Sequence, residues 1–449
     1  MEQTAGMGTG QTAPTAMGPT EPMATEPMAR APTGTGRTEP TATALTASRA
    51  PISGFTNLER LVGLDAAAEF LASHFGRDAF RRRLPEGEAA RLFSWDLLNQ
   101  AIAEHRLGPP RLKLEKGGAE VGRAVFRERR PRPSQVIYDI DTPALYEHLR
   151  DGATLILDAV NELHSPLQRL CAGLASELCA YSQTNLYACW GQTQGFDVHW
   201  DEHDVFVVQI AGAKRWDLYG FTQPAPLRRA SREKLSPPTQ APEPCVLEAG
   251  DVLYLPRGYW HAAIGLGEPS LHLTIGLSRK TGADFLYWLA DEATADPDVR
   301  ADLRLEQSDA MLGEQIAQML RSLSALGDPA ELGRRFRRQA EARRSHRPQL
   351  SFPDIGLEHE VIADQRRLRL TDGATALQVG DAPPAVQLSH RGVIYTLAPE
   401  LEPVLMALYT GRSLTYGEMF SMSGVAPSLL ERFVRDMLRR AVFVFEPRR

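Results

Sequence analysis

The sequence predicts an α+β protein in which a group of short antiparallel strands lies between helical segments. Three observations support this class. Apolar residues follow a mostly helical period over residues 58–106, the period changes to two residues from Thr184, and the helical period returns after Ser278. The strands are short, evenly spaced and separated by Gly-rich or Pro-rich turns. This pattern favours a sandwich or small barrel over a parallel sheet.

Length and composition limit the class of protein. A chain of 449 residues predicts two or three domains, and an apolar fraction of 43% is sufficient for globular folding. The net charge of −6 disfavours general adhesion to nucleic acid or membranes. Four cysteines without CxxC spacing predict reduced thiols and a cytoplasmic location. No run of about 18 apolar residues occurs, so we expect no membrane span.

Residues 1–54 differ from the rest of the chain. They are rich in Thr, Ala, Pro and Gly, and the segment TEPMA occurs twice in succession at residues 20–29. Such a segment cannot bury enough apolar area to offset the entropy lost on ordering. We therefore expect a disordered tail, followed by a strand-rich domain over residues 55–280.

Two further segments follow the strands. Residues 281–347 contain three amphipathic helical patterns, whose apolar faces need a partner, so we expect a helical dimerisation domain and a homodimer. Residues 351–449 give helix, helix, longer helix and strand, an order that resembles a winged-helix module. The last helix of such modules contacts DNA in some proteins and only protein in others, and the sequence leaves this choice open.

A candidate metal site lies at the head of a strand. His199 and Asp201 are two residues apart, so they point to the same face of an extended chain. His261 opens another strand after a Pro-Arg-Gly turn. Two His and one carboxylate leave three coordination positions open, as non-haem Fe(II) needs to hold a chelating co-substrate and O₂. His203 has the same parity but lies about 6.6 Å further along, which favours a rim or structural role.

The usual chelating co-substrate for such a site is 2-oxoglutarate, whose distal carboxylate requires a cation. With a hairpin turn at Ala211–Gly212, Lys214 lies on the strand paired with residues 204–210, and Arg215 points away. Neighbouring strands supply hydrogen-bonding candidates. Asn185 and Tyr187 share one face of their strand, and Thr274 shares a polar face with His272.

These motifs together resemble a known family. HWD, the spacing to KRW, PRGYWH and HLTIGLS are similar to JmjC/cupin-type Fe(II)/2-oxoglutarate oxygenases, in particular the ribosomal oxygenase branch. The resemblance implies a double-stranded β-helix, with His199, Asp201 and His261 as iron ligands. It further implies that Lys214 binds the C5 carboxylate and that Asn185, Tyr187 and Thr274 line the pocket. Gly276 departs from the family, which often has a hydroxyl residue there.

The resemblance implies hydroxylation of an amino-acid side chain in a protein or peptide, with ribosomal proteins among the expected substrates. Three alternatives remain at this point. The same chemistry could act on a small molecule or a biosynthetic peptide, or on an N-methyl carbon as in lysine demethylation. A non-catalytic regulator could instead bind DNA through the winged helix. The basic runs at residues 127–134 and 334–347 fit either a solvated surface or contact with ribosomal RNA or an acidic partner.

Overall fold

The computed structural model of the chain describes residues 57–192, 194–227, 236–342, 349–350, 365–371, 374–381, 384–391 and 393–446. The tail predicted for residues 1–54 and the end of the second basic run, residues 343–347, lie outside these ranges. Among the helices in these ranges, none combines the length and apolarity that crossing a bilayer requires.

The N-terminal part combines short helices with the first strands. In chain order the elements are α1 (Asn57–Val62), α2 (Ala67–Glu69), a π-helical turn (Phe70–His74), β1 (Phe80–Arg83), α3 (Glu88–Leu92), α4 (Trp95–Glu104), β2 (Leu112–Lys116), β3 (Ala119–Glu120), β4 (Phe126–Arg132), β5 (Gln135–Ile140), α5 (Thr142–Arg150), β6 (Thr154–Leu157), a 3₁₀ turn (Val160–Glu162) and α6 (Ser165–Glu177). The mostly helical prediction for residues 58–106 missed β1, which forms the edge of the largest sheet by pairing with a distant strand. Its sequence, FRRR, carries no apolar alternation, so the pairing partner decides its conformation.

Two facing antiparallel sheets form the centre of the protein. Their remaining strands are β7 (Ala180–Cys189), β8 (Asp204–Ala211), β9 (Ala213–Phe221), β10 (Glu243–Glu248), β11 (Asp251–Leu255), β12 (Tyr259–Gly265) and β13 (Ser270–Arg279). The large sheet has the order β1-β11-β8-β13-β7-β6-β2-β3, and the small sheet has the order β10-β9-β12. Val205 and Val207 of the large sheet pack against Trp216 and Leu247 of the small sheet, so the two sheets enclose a common interior.

The predicted hairpin between β8 and β9 is wrong. β8 pairs with β11 and β13, whereas β9 pairs with β10 and β12, so the turn carries the chain from one sheet to the other. Gly212 makes this crossing possible because its φ is +63° and a Cβ there would lie 2.1 Å from the carbonyl oxygen of Pro269. Strand alternation alone cannot distinguish a hairpin from such a crossing.

The large sheet separates two environments. Phe206, Val208 and Ile275 point outward and pack in the main core with the helices. Val207 and Thr274 point inward and line the interior between the sheets. The predicted alternation of β13, with a polar inner face and an apolar outer face, is therefore confirmed.

The C-terminal part continues with helices and a second group of strands. These elements are α7 (Gly282–Ala293), α8 (Pro297–Arg300), α9 (Asp309–Ser324), α10 (Pro329–Ala342), β14 (Leu368–Leu370), β15 (Ala374–Asp381), β16 (Pro384–His390), β17 (Val393–Leu397), α11 (Glu402–Tyr409), α12 (Tyr416–Ser423), α13 (Pro427–Arg439) and β18 (Phe443–Phe445). The three predicted helices after the strands are present as α7, α9 and α10. The order of helix, helix, longer helix and strand is also present, but the sequence analysis missed the three-stranded sheet β15-β16-β17.

Candidate metal centre and co-substrate pocket

The three predicted metal ligands meet although two segments of the chain supply them. His199 and His261 face each other in an isolated antiparallel β-bridge, with N–H to O=C distances of 3.1 and 2.8 Å. One potential ligand atom from each of His199, Asp201 and His261 lies within 4.8 Å of the other two. The convergence that the sequence analysis required is therefore present.

Two further hydrogen bonds fasten the ligand-bearing segments to each other. The Gly258 N–H donates to the Asp201 carbonyl oxygen at 3.0 Å, and the Arg257 N–H donates to Asp204 Oδ1 at 2.8 Å. Asp204 is buried, and its Oδ2 lies 2.8 Å from Arg279 Nε at the end of β13. The turn before His261 is thus tied to the strand start after Asp201, which fixes the spacing of the ligands.

Backbone carbonyls orient the two imidazoles. His199 Nδ1 lies 2.8 Å from the Asp197 carbonyl oxygen, and His261 Nδ1 lies 2.9 Å from the Tyr259 carbonyl oxygen. Because a carbonyl oxygen only accepts, each Nδ1 carries the proton and each Nε2 keeps its lone pair. Burial, together with the neighbouring His199, lowers the pKa of His261 to about 4, so this ring is neutral at neutral pH, as a metal ligand must be.

The donor set fits a divalent transition metal. Two imidazoles and one carboxylate on one side of a site form the facial triad that non-haem Fe(II) sites use, with the opposite positions open. His261 Nε2 and Asp201 Oδ2 are 3.7 Å apart, close enough to bind one ion together. His203 is not part of this cluster of ligand atoms, in keeping with its predicted rim role.

A pocket of about 210 Å³ adjoins the triad inside the barrel, and Lys214 lines it. Lys214 is only 4% exposed. Within the described part of the chain, no carboxylate lies within ion-pair distance of its ammonium group. Burial lowers the pKa of Lys214, and the nearby Cys189 thiol partly opposes this effect. A buried lysine without an acidic partner fits a co-substrate that brings its own carboxylate.

Strand parity correctly separated Lys214 from its neighbour. Arg215 points out of the barrel, with a side chain 45% exposed, and pairs with Asp217 at 3.0 Å. Trp216 returns to the interior, where its ring centroid lies 5.7 Å from that of His261. The sequence analysis did not include Trp216 among the site residues, although its parity with Lys214 could have indicated the pocket.

The remaining predicted residues divide between two cavities. Tyr187 and Thr274 line the pocket that contains Lys214. Asn185 instead lines an adjoining cavity of about 180 Å³, which shares Tyr187, Asp201 and Thr274 with the first. The Asn185 Oδ1 atom accepts hydrogen bonds from the Ala159 N–H and from Gln183, both at 3.0 Å. Asn185 therefore does not line the pocket that contains Lys214, which differs from the prediction.

Gly276 leaves space that a neighbouring side chain uses. A Cβ at this position would lie 2.7 Å from the Cδ2 and Nε2 atoms of His203. Both residues line the adjoining cavity. The imidazole of His203 thus lies where a side chain at position 276 would begin, and it forms part of the cavity wall.

Comparison with known proteins agrees with this geometry. The model of the JmjC domain family matches residues 159–285, a segment that contains every predicted ligand and pocket residue. The predicted double-stranded β-helix is therefore confirmed at the level of a JmjC/cupin-type fold, although strands β1, β2, β3 and β6 of the large sheet lie outside the matched segment.

Curated proteins similar to this chain include ribosomal oxygenases. The chain is 35% identical over 145 residues to "Bifunctional lysine-specific demethylase and histidyl-hydroxylase NO66" of Drosophila melanogaster, covering 31% of this chain and 22% of the relative. It is 34% identical over 150 residues to "Ribosomal oxygenase 1" of Gallus gallus, covering 32% and 24%. The matched segments thus span only about a quarter of the length of these two relatives.

Solved structures extend the likeness over more of the chain. The X-ray structure of Escherichia coli ycfD superimposes with a TM-score of 0.54 at 18% identity, covering 84% of this chain and 98% of that one. A structure of ycfD, a ribosomal oxygenase, in complex with cobalt and 2-oxoglutarate gives a TM-score of 0.51 at 18% identity, covering 85% and 98%. At this identity the likeness concerns the fold. The resemblance to ribosomal oxygenases that the motifs indicated is confirmed by the family match and the curated relatives, and the solved structures agree with it in fold.

Proposed function

We propose that this protein is an Fe(II)- and 2-oxoglutarate-dependent oxygenase that hydroxylates an amino-acid side chain in a protein. The observation that carries the proposal is the His199, Asp201 and His261 triad beside a pocket that contains a buried lysine without an acidic partner. Proteins of different function can contain either a triad of this kind or a buried lysine without the other. Together they provide the two binding functions that this chemistry needs, one for the metal and one for the distal carboxylate.

The residues have separate roles in this reaction. When bound, the iron would supply the oxidation chemistry, in which 2-oxoglutarate, O₂ and a substrate C–H group give succinate, CO₂ and the hydroxylated substrate. His199, Asp201 and His261 hold the ion, while Lys214 neutralises the distal carboxylate. The buried walls of the barrel, including Val207, exclude water from the reacting centre.

Two observations favour a protein substrate, and we propose a ribosomal protein. The relatives include proteins named ribosomal oxygenase and histidyl-hydroxylase. Three carboxyl groups also lie near the triad, because Glu115 interacts electrostatically with Glu120, with Asp158 and with His199. Acidic groups near the triad complement a basic segment, as proteins that bind RNA commonly carry.

Exposed apolar side chains support a homodimer formed through the helical segment. The 16-residue helix α9 buries none of its residues. Large apolar side chains of this segment that remain exposed are Leu286, Tyr287, Leu303, Leu305, Met311, Ile316 and Leu320. Apolar residues at helical spacing gain free energy when a second surface covers them. We propose that a second copy of the chain covers these side chains.

We propose a cytoplasmic location because all four cysteines are free thiols.

The C-terminal winged helix is proposed as a protein-contact module. Two arginines of the last helical region, Arg435 and Arg440, form ion pairs with Glu431 and Asp436 one turn earlier. These pairs reduce the positive charge that DNA phosphates would need. The DNA-binding alternative is therefore not favoured by the charge on α13.

The decisive assay measures succinate formation by the iron-loaded protein with a ribosomal extract, followed by a search for peptides heavier by one oxygen atom. We expect turnover by the native chain and by Arg215→Ala, a control on the outer face of β9. We expect none from Asp201→Ala, which removes a ligand. Stimulation by a free amino acid with unmodified ribosomal proteins would favour the small-molecule alternative, and loss of a methyl group would favour demethylation.

A further inference from the structure

A second buried hydrogen-bonding group shares the pocket with Lys214. His272 lies on β13, is 4% exposed and lines the same pocket of about 210 Å³. It does not belong to the triad of potential metal ligands. Its position at the Lys214 end of the site raises the question of what its imidazole does.

Neither ring nitrogen of His272 has a hydrogen-bond partner within the described ranges. Nδ1 is fully buried and unpaired. Nε2 likewise forms no hydrogen bond to any described residue. Burial, together with the Lys214 charge, holds the pKa of His272 well below its usual range, so the ring is neutral and carries one N–H. A buried polar ring without partners is costly, and such groups normally meet a ligand or water.

Two aromatic side chains hold the ring in place. The Tyr187 ring stacks on it with a centroid separation of 5.0 Å and an interplanar angle of 6°. The Trp216 ring meets it edge-on, with centroids 5.6 Å apart at 79°. Contact with these two rings restricts rotation of the imidazole, so its N–H direction is set before any ligand enters.

We infer that His272 donates a hydrogen bond to the distal carboxylate of the co-substrate, alongside Lys214. This inference rests on the proposed function, because it assumes that 2-oxoglutarate is the ligand of the pocket. A carboxylate accepts several hydrogen bonds, and one ammonium group does not satisfy them all. His272 supplies the additional neutral donor and selects a dicarboxylic 2-oxo acid over one with an apolar tail.

The test combines one substitution with one change in the ligand. Calorimetry measures the dissociation constants of two ligands for the Mn(II)-loaded native chain and for the Mn(II)-loaded His272→Leu variant. The ligands are 2-oxoglutarate and 2-oxopentanoate, in which a methyl group replaces the distal carboxylate. We expect His272→Leu to weaken 2-oxoglutarate binding roughly 10- to 100-fold and to change 2-oxopentanoate binding less than about threefold. His272→Gln, which keeps an N–H donor, should recover most of the loss.

The outcomes separate this inference from the proposed function. Equal weakening of both ligands by His272→Leu would mean that the ring only supports the pocket, and the inference would be overturned. Failure of the native chain to bind 2-oxoglutarate would overturn the proposed function as well. If His272→Leu does not fold by circular dichroism, ¹⁵N-histidine NMR of the native chain decides the question. The His272 N–H signal should then shift with 2-oxoglutarate and stay in place with 2-oxopentanoate, and any other pattern refutes the inference.

Discussion

Replacing Lys214 by methionine should have opposite effects on the free protein and on its complex. The ammonium group is buried, its pKa is lowered by burial, and no described carboxylate pairs with it. Methionine has a similar length and no charge, so the apo protein should become more stable. The same change removes the cation for the distal carboxylate, so co-substrate affinity should fall.

The size of the second effect follows from the charged hydrogen bond that the substitution removes. A hydrogen bond to a charged group contributes about 1.5–3 kcal/mol, which corresponds to roughly 10- to 150-fold in the dissociation constant. At a 2-oxoglutarate concentration of 100 dissociation constants, the native chain gains about 2.7 kcal/mol of stability. A variant with 100-fold weaker binding gains only about 0.4 kcal/mol at that concentration.

The free energy of unfolding of the apo protein should also depend on pH in a direction that the pKa of Lys214 defines. Because the folded pKa of Lys214 lies below the ordinary lysine value of 10.5, the unfolded chain binds more protons between the two values. The contribution of Lys214 to apo stability therefore rises with pH through that window, and Lys214→Met should abolish this rise.

Thermal unfolding of the Mn(II)-loaded proteins, with and without 2-oxoglutarate, measures both effects, with calorimetry for the dissociation constant. Arg215→Met is the matched control, because Arg215 lies on the same strand, is largely exposed, and forms a surface pair worth at most about 1 kcal/mol. Unchanged 2-oxoglutarate affinity in Lys214→Met, or a loss equal to that of the control, would refute the assignment of Lys214.

Three further predictions concern other parts of the chain. Gly276→Ala should displace the His203 ring, since the added Cβ would lie 2.7 Å from it, and should lower substrate turnover while 2-oxoglutarate affinity stays constant. Adding His203→Ala should restore turnover, and a persistent defect in the double variant would contradict the steric explanation. Arg279→Leu leaves the buried Asp204 carboxylate without its cation and should reduce the free energy of unfolding in urea by about 3 kcal/mol. A loss below about 1 kcal/mol would show that this ion pair is not needed for stability. Leu320→Glu, on the exposed face of α9, should shift the protein to a monomer in sedimentation analysis, and an unchanged dimer would place the interface elsewhere.

Much of the site could be predicted because strand parity is a local property. Alternation along β9 assigned Lys214 to the interior and Arg215 to the surface, and alternation along β13 assigned Thr274 to the interior. Both assignments depend only on successive side chains pointing to opposite faces. The His-x-Asp pair was predicted for the same reason.

Other features could not be predicted because they depend on distant partners. The crossing at Gly212 and the edge strand β1 are set by which strands pair, and similar sequences occur in hairpins and loops. The placement of Asn185 in the adjoining cavity depends on hydrogen bonds to Ala159 and Gln183. Periodicity indicates which face a side chain occupies, but not which cavity that face meets.

The sequence by itself determined the chemical groups and their faces: a His-x-Asp pair, a third histidine after a Pro-Arg-Gly turn, and a lysine of inward parity. The tertiary structure alone decided that these groups meet, through the β-bridge between His199 and His261. It also decided which charged groups are buried without a carboxylate partner, as Lys214 is. The physical reason is that side-chain direction follows from local backbone geometry, whereas proximity and desolvation arise only when strands distant in the chain pack together.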